Sequence, residues 1–165
     1  ACTDLFNLNA TGDKFCGTVR CIACGILSEY DMQVDVAYVS GVTDRLFGLM
    51  LRFVDNDGNG IVDDDDYYLG YGVSIYDQYF IVVEHLPNDG WYRVFDEFNS
   101  SINPGRKVNT LRAVAANGGT EIDFYLNGEY ANGVTSVSYP EGAVGFMIGG
   151  RKLQVAFDNF QISVP

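Results

Sequence analysis

The chain has 165 residues and a formal charge of −12, with 10 Lys and Arg against 22 Asp and Glu. Most of such a surface repels nucleic acid and anionic membrane. Hydrophobic residues make up 47% and charged residues 19%, which excludes intrinsic disorder and fits one domain over 1–165, and no run reaches the roughly 18 apolar residues of a membrane span.

The chain opens on Ala1-Cys2, without an initiating Met or a leader, as expected of a processed and exported product. Residues 1–25 form a cysteine-rich N-terminal segment holding Cys2, Cys16, Cys21 and Cys24. An even number of cysteines crowded at one end reads as two disulfides in an oxidising compartment, with three pairings open. Cys21-Ile22-Ala23-Cys24 also has the spacing of a zinc ligand pair, but Cys2 and Cys16 do not supply a second such pair, so bridges are expected instead. The sequons Asn9-Ala10-Thr11 and Asn99-Ser100-Ser101 would permit glycosylation outside the cell.

Beyond the cysteines no helix of ordinary length is visible. Apolar residues recur at every second position, and turn residues interrupt them every 8 to 12, the pattern of strands. The runs are 27–39, 45–54, 67–75, 79–85, 91–98, 108–115, 120–126, 129–137, 143–148 and 153–164. In the seventh, Ile122, Phe124 and Leu126 face one way and Glu121, Asp123 and Tyr125 the other. Asn127-Gly128 then supplies the positive φ preference of a tight hairpin, returning the chain at Glu129. About ten strands exceed one comfortable open sheet, so the expected fold class is all-β, a two-sheet antiparallel β-sandwich.

Between the second and third runs lies an acidic loop, 55–66. Asp55, Asp57, Asn59, Asp63 and Asp66 stand at positions 1, 3, 5, 9 and 12, Gly60 at position 6 allows the sharp turn, and Ile61 at 7 offers its carbonyl. The loop resembles an EF-hand or dockerin-type calcium loop, with strands in place of the flanking helices, which implies Ca²⁺ as the cofactor. Val62 is placed to pin the loop to the body. Asp66, where such loops most often carry Glu, is a shorter arm that favours binding through one oxygen, a weaker site and easier entry of Mg²⁺. Six carboxylates within twelve residues repel one another unless a cation intervenes.

Catalytic chemistry is sparse. His85 is the lone histidine, and no Gly-x-Ser-x-Gly elbow, phosphate loop or dinucleotide fingerprint occurs. Glu121-Ile122-Asp123-Phe124 resembles the acidic strand signature of laminarinase-type glycoside hydrolases, but the third acid of that signature is missing, since Tyr125 and Leu126 follow. Asp96 with Glu97 and Asp31 with Asp35 read as strand-surface acids. Trp91 and the cluster Tyr67, Tyr68, Tyr71, Tyr76 and Tyr79 could fill the core, line a glycan groove or form a subunit interface.

A wider resemblance covers about 30–164. Gly48-Leu49-Met50-Leu51-Arg52-Phe53, Tyr67 to Val73, Gly90-Trp91, Ile102-Asn103-Pro104-Gly105, Asn109-Thr110-Leu111-Arg112, Phe124 to Glu129, Tyr139 to Gly145 and Val155 to Phe160 follow in order. In these the chain is similar to the concanavalin A-like lectin/glucanase superfamily, in particular its laminin-G-like and glycoside-hydrolase-like sandwich domains. The resemblance implies a jelly-roll sandwich and a choice among lectins, adhesion modules, hydrolases and spacers. The expected function is a non-catalytic, calcium-stabilised, secreted module at the cell surface. Its partners would be a glycan, or identical subunits joined head to tail into a filament through the N-terminal segment. A glycan-cleaving enzyme is the alternative.

Overall fold

The computed structural model describes residues 6–9, 17–43, 45–60, 62–135, 138–149 and 152–165. Among these are twelve strands, one turn of 3₁₀ helix at Ile22–Cys24, and no α-helix. The strands are β1 (Phe6–Asn9), β2 (Gly17–Arg20), β3 (Tyr30–Ser40), β4 (Phe47–Val54), β5 (Tyr67–Ser74) and β6 (Tyr79–Leu86). They continue with β7 (Gly90–Phe98), β8 (Asn109–Ala116), β9 (Glu121–Leu126), β10 (Glu129–Thr135), β11 (Ala143–Ile148) and β12 (Gln154–Ser163).

Two six-stranded antiparallel sheets result. Sheet A runs β1-β12-β3-β8-β9-β10 and sheet B runs β2-β11-β4-β5-β6-β7. The protein is an all-β two-sheet sandwich. The ten runs read from the sequence correspond to β3 through β12, and β1 and β2 add a strand at one edge of each sheet. Four residues offer too few alternations for periodicity to register, and these two strands form by pairing with the edges that β12 and β11 leave open. The first predicted run starts later than expected. Leu27 makes an isolated bridge to Gly142, and β3 begins at Tyr30.

Inward side chains of both sheets fill one core. From sheet A come Met32, Val34, Leu111, Phe124 and Phe157, and from sheet B come Leu49, Leu69, Tyr71, Phe80 and Phe146. At the turn into β10, Asn127 and Gly128 take φ values of 50° and 87°, both in the left-handed region that a two-residue hairpin needs. Buried Arg52 sits at a bulge in β4 with φ 57°. Its guanidinium donates to the carbonyls of Leu27, Ser28 and Gly119 at 2.7, 2.6 and 3.0 Å and lies over the Tyr30 ring. It ties β4 to the chain entering β3 and to the turn between β8 and β9.

Strands β4, β5 and β11 are buried on both faces. On the outer face of sheet B a second apolar cluster gathers Met50, Phe53, Tyr68, Ala143 and Met147, with Leu46 and Val62 packed against it. A Cβ at Gly70 would lie 2.5 Å from the Met147 sulfur, so glycine there lets the methionine lie flat across the sheet.

Candidate functional site

The acidic loop leaves β4 and returns to β5, and the fold gathers its side chains. Carboxylate oxygens of Asp55, Asp57 and Asp66 lie within 4.8 Å of one another, and a second group unites Asp57, Asp63 and Asp65 in the same way. Asn59 joins them, donating from its amide to Asp57 at 2.7 Å and to Asp63 at 2.9 Å. Asp66 is fully buried and closes the loop, accepting from the Asn56 and Asp63 backbone N–H groups at 3.0 and 3.1 Å. Burial pushes its carboxyl above the usual carboxylate range; those two donors pull it back, and the charges of Asp63 and Asp55 push it up again. Asp55 accepts from Gly60 N–H through one oxygen, while its other oxygen is buried with no partner. All five predicted side-chain ligands therefore come together, and with the Asn59 amide turned to present its oxygen in place of its N–H they make an all-oxygen set of the kind that suits a hard cation such as Ca²⁺. Ile61, expected to add its carbonyl, lies outside the described residues. Val62 packs on the outer cluster of sheet B as the sequence reading placed it.

The C-terminal end of this loop touches an aromatic row. The Asp66 carbonyl is 2.8 Å from His85 Nδ1, and Asn88 N–H donates to the Asp64 carbonyl at 2.9 Å. Across sheet B, Tyr68 pairs in register with His85, and His85 with Trp91. His85 stacks on Tyr68 with ring centroids 4.9 Å apart, and Trp91 meets Tyr68 and His85 edge-on at 5.0 and 5.1 Å. Tyr68 and His85 are buried, whereas Trp91 is 40% exposed. Further along the same face the register pairs Val83 with Arg93, Ile81 with Asp96, and Tyr79 with Phe98. Arg93 and Asp96 form an ion pair, and Phe98 stands 60% exposed beside Tyr79. The outer edge of sheet B is thus a shelf with aromatic rings at both ends and a charged pair between them.

Of the five tyrosines singled out from the sequence, Tyr67 and Tyr71 are in the interior. Their hydroxyls donate to Glu84 and to the Tyr125 carbonyl. Burial is the largest cause raising both hydroxyls far above the usual tyrosine range. Tyr68 underlies the aromatic row, Tyr79 is half-buried at its far end, and Tyr76 is exposed in the turn before β6. The sequence reading missed the pairing of Trp91 with His85. The signal was present in the seven-residue return His85 to Trp91 around Asn88-Asp89-Gly90, a hairpin turn that sets the two rings opposite each other.

The outer face of sheet A is polar. Arg112 forms a two-pronged ion pair with Asp31 at 2.7 and 2.6 Å and lies over Tyr125. This hydrogen bonding holds the Asp31 carboxyl below its usual range. Asp35 accepts from Thr110 and Asn159. Glu121 and Asp123 are exposed on β9, with Glu121 bonded to Asn117, and Tyr125 takes the next outward position.

Cys21 and Cys24 form a disulfide with Cα atoms 5.4 Å apart across the 3₁₀ turn, so neither thiol is left for zinc. Cys2 and Cys16 lie outside the described residues. Asn99 is half-buried in the turn after β7, where its side-chain oxygen accepts from Ser101 N–H. Asn9 belongs to β1, and the rest of its sequon lies outside the described residues.

No protein-family model matches the chain, and no curated protein matches it. Among solved structures it is similar to the carbohydrate-binding module CBM66 from Bacillus subtilis, with 14% identity and a TM-score of 0.71 over 98% of this chain and 96% of that one. The galectin LEC-6 from Caenorhabditis elegans aligns at 16% identity and TM-score 0.57 over 96% of both chains. The chain has the sandwich fold of these proteins. A GH43 protein from Bacillus licheniformis, BlXynB, aligns at 18% identity and TM-score 0.57, but over only 27% of its own length. At such identities the likeness speaks for the architecture alone, and residue roles rest on the geometry above.

Proposed function

We propose that this protein is a non-catalytic, extracellular glycan-binding module that uses the outer face of β6 and β7 and is stabilised by Ca²⁺ in the loop 55–66. The observation that carries the reading is the row Tyr68, His85 and Trp91, in which two buried rings fix a half-exposed indole face for stacking on a sugar ring. Arg93 and Asp96 beside it supply a donor and an acceptor for sugar hydroxyls. The carbohydrate-binding module and galectin neighbours add support from outside the chain. The Cys21–Cys24 bridge favours an oxidising compartment. For calcium, the support is the convergence of Asp55, Asp57, Asn59, Asp63 and Asp66 and the unpartnered oxygen of Asp55. Against catalysis stands the outer face of β9, where Glu121 and Asp123 are followed by Tyr125 and not by a third acid.

Binding to a glycan array in calcium-containing buffer tests the proposal, with Trp91→Ala as the control. Truncating a central aromatic anchor typically removes about 2 kcal/mol or more, roughly thirtyfold in affinity. Unchanged retention of the variant, or release of reducing sugar that Glu121→Gln abolishes, would replace binding with another surface or with hydrolysis. Assembly is the second reading, favoured by the position of β1 at an edge of sheet A, where a short strand is exchangeable between copies. Sedimentation of native material separates the two, since filaments pellet and monomers do not.

A further inference from the structure

A cavity of about 470 Å³ opens between the end of the acidic loop and the β6–β7 turn, lined by Asp64, His85, Asn88, Asp89 and Gly90. Its size falls within the range of small-ligand clefts, about 300–1,000 Å³. The hydrogen bond from Asn88 N–H to the Asp64 carbonyl fixes its two walls against each other. Trp91 does not line the cavity, but its ring meets that of His85, which does, at 5.1 Å.

The lining is rich in acceptors, with the Asn88 side-chain amide as the one lining side chain that offers both donors and an acceptor. A carbonyl oxygen only accepts, so the contact between His85 Nδ1 and the Asp66 carbonyl puts a proton on Nδ1, and in the neutral ring Nε2 is then the acceptor. His85 is 3% exposed, and Nε2 has no partner among the described residues. Asp64 and Asp89, both exposed, bring carboxylates, which accept only. No lining residue is cationic. A single metal ion does not answer this demand for donors, because His85, Asp64 and Asp89 are not among the groups whose ligand atoms converge within 4.8 Å. A larger ligand carrying several donors and positive charge does.

We infer that the cavity receives the protonated amine of an amino sugar, so that the protein selects glycans containing unacetylated hexosamine over neutral and acidic ones. This rests on the reading that the Trp91 shelf binds glycans. The ammonium lies between the Asp64 and Asp89 carboxylates and next to the Trp91 ring, where charge and the ring quadrupole both attract it. A neighbouring hydroxyl donates to His85 Nε2. An acidic sugar in the same place meets two like charges.

Calorimetric titration with chitosan oligosaccharides and fully N-acetylated oligosaccharides of equal length, at low salt with the amine protonated, tests this. The unacetylated form is expected to bind about tenfold tighter or more, as two partly exposed charge pairs provide. The double variant Asp64→Asn/Asp89→Asn removes that preference. The double variant Glu121→Gln/Asp123→Asn, which takes the same charge from the other sheet, keeps it and so separates the cavity from general attraction to an acidic protein. Equal or tighter binding of the acetylated form overturns the inference, as does a preference that survives loss of Asp64 and Asp89. If both forms bind equally and Trp91→Ala abolishes both, the amine assignment fails and the glycan reading stands. If binding of either form ignores Trp91→Ala, both fail.

Discussion

Replacing Asp55 with Asn should change stability in opposite directions with and without calcium. In the chelated protein, oxygens of Asp55, Asp57 and Asp66 lie within 4.8 Å of one another. At that separation each like-charged pair repels by about 1 kcal/mol in water and about 3 kcal/mol at an effective dielectric near 20. Asp55→Asn removes two of these pairs and turns the buried, unpartnered oxygen into a site for an N–H donor among acceptors. Discounted for solvent screening of a partly exposed loop, the gain is about 2 kcal/mol, or roughly 4–8 °C in Tm for a domain of this size. Calcium at a hundred times its Kd should stabilise the unaltered protein by about 2.7 kcal/mol, roughly 5–11 °C, and the variant much less. Scanning calorimetry of both proteins in calcium and in chelator reads all four values. A Tm that calcium leaves unmoved, or a variant less stable than the parent in chelator, would refute the loop as a cation site held against its own charge.

Three further outcomes follow from buried groups. Arg52→Met should lower stability by about 3–5 kcal/mol in chemical denaturation, because the carbonyls of Leu27, Ser28 and Gly119 lose a charged donor inside the fold. Burial raises Tyr30 to about 12 against the attraction of Arg52. The unfolded chain releases that proton near pH 10 and the folded chain keeps it, so denaturation midpoints should fall as pH rises from about 10 to 12. Tyr67 and Tyr71, raised further, add to the same loss. Reducing Cys21–Cys24 should lower stability by about 2 kcal/mol, the small value expected of so short a loop, and leave the sheets intact by circular dichroism.

The sandwich was legible because β3, β8 and β9 have one face in the core and one in solvent, which writes a period of two into residues such as Ile122, Phe124 and Leu126. The gathering of the acidic side chains of 55–66 was legible because it is local, set by spacing within twelve residues. The shelf was not, because Tyr68, His85 and Trp91 come from three strands and meet only through register. Strands β4, β5 and β11 are buried on both faces, so their near-continuous apolar runs carry no mark of which side is outer. For the same reason the interior places of Tyr67 and Tyr71 could not be told from a surface cluster. Buried Arg52 was also hidden, since its partners lie on loops 24 and 67 residues away along the chain.

The most direct test is chemical-shift mapping of the calcium-loaded protein titrated with the glycan that an array selects. The account predicts saturable shifts at the Trp91 indole, the His85 ring and the backbone of the β6–β7 turn, with Tyr125 and Tyr130 on sheet A unmoved. Shifts confined to Tyr125, Tyr130 and Arg112, or none while the glycan is bound or cleaved, would contradict it.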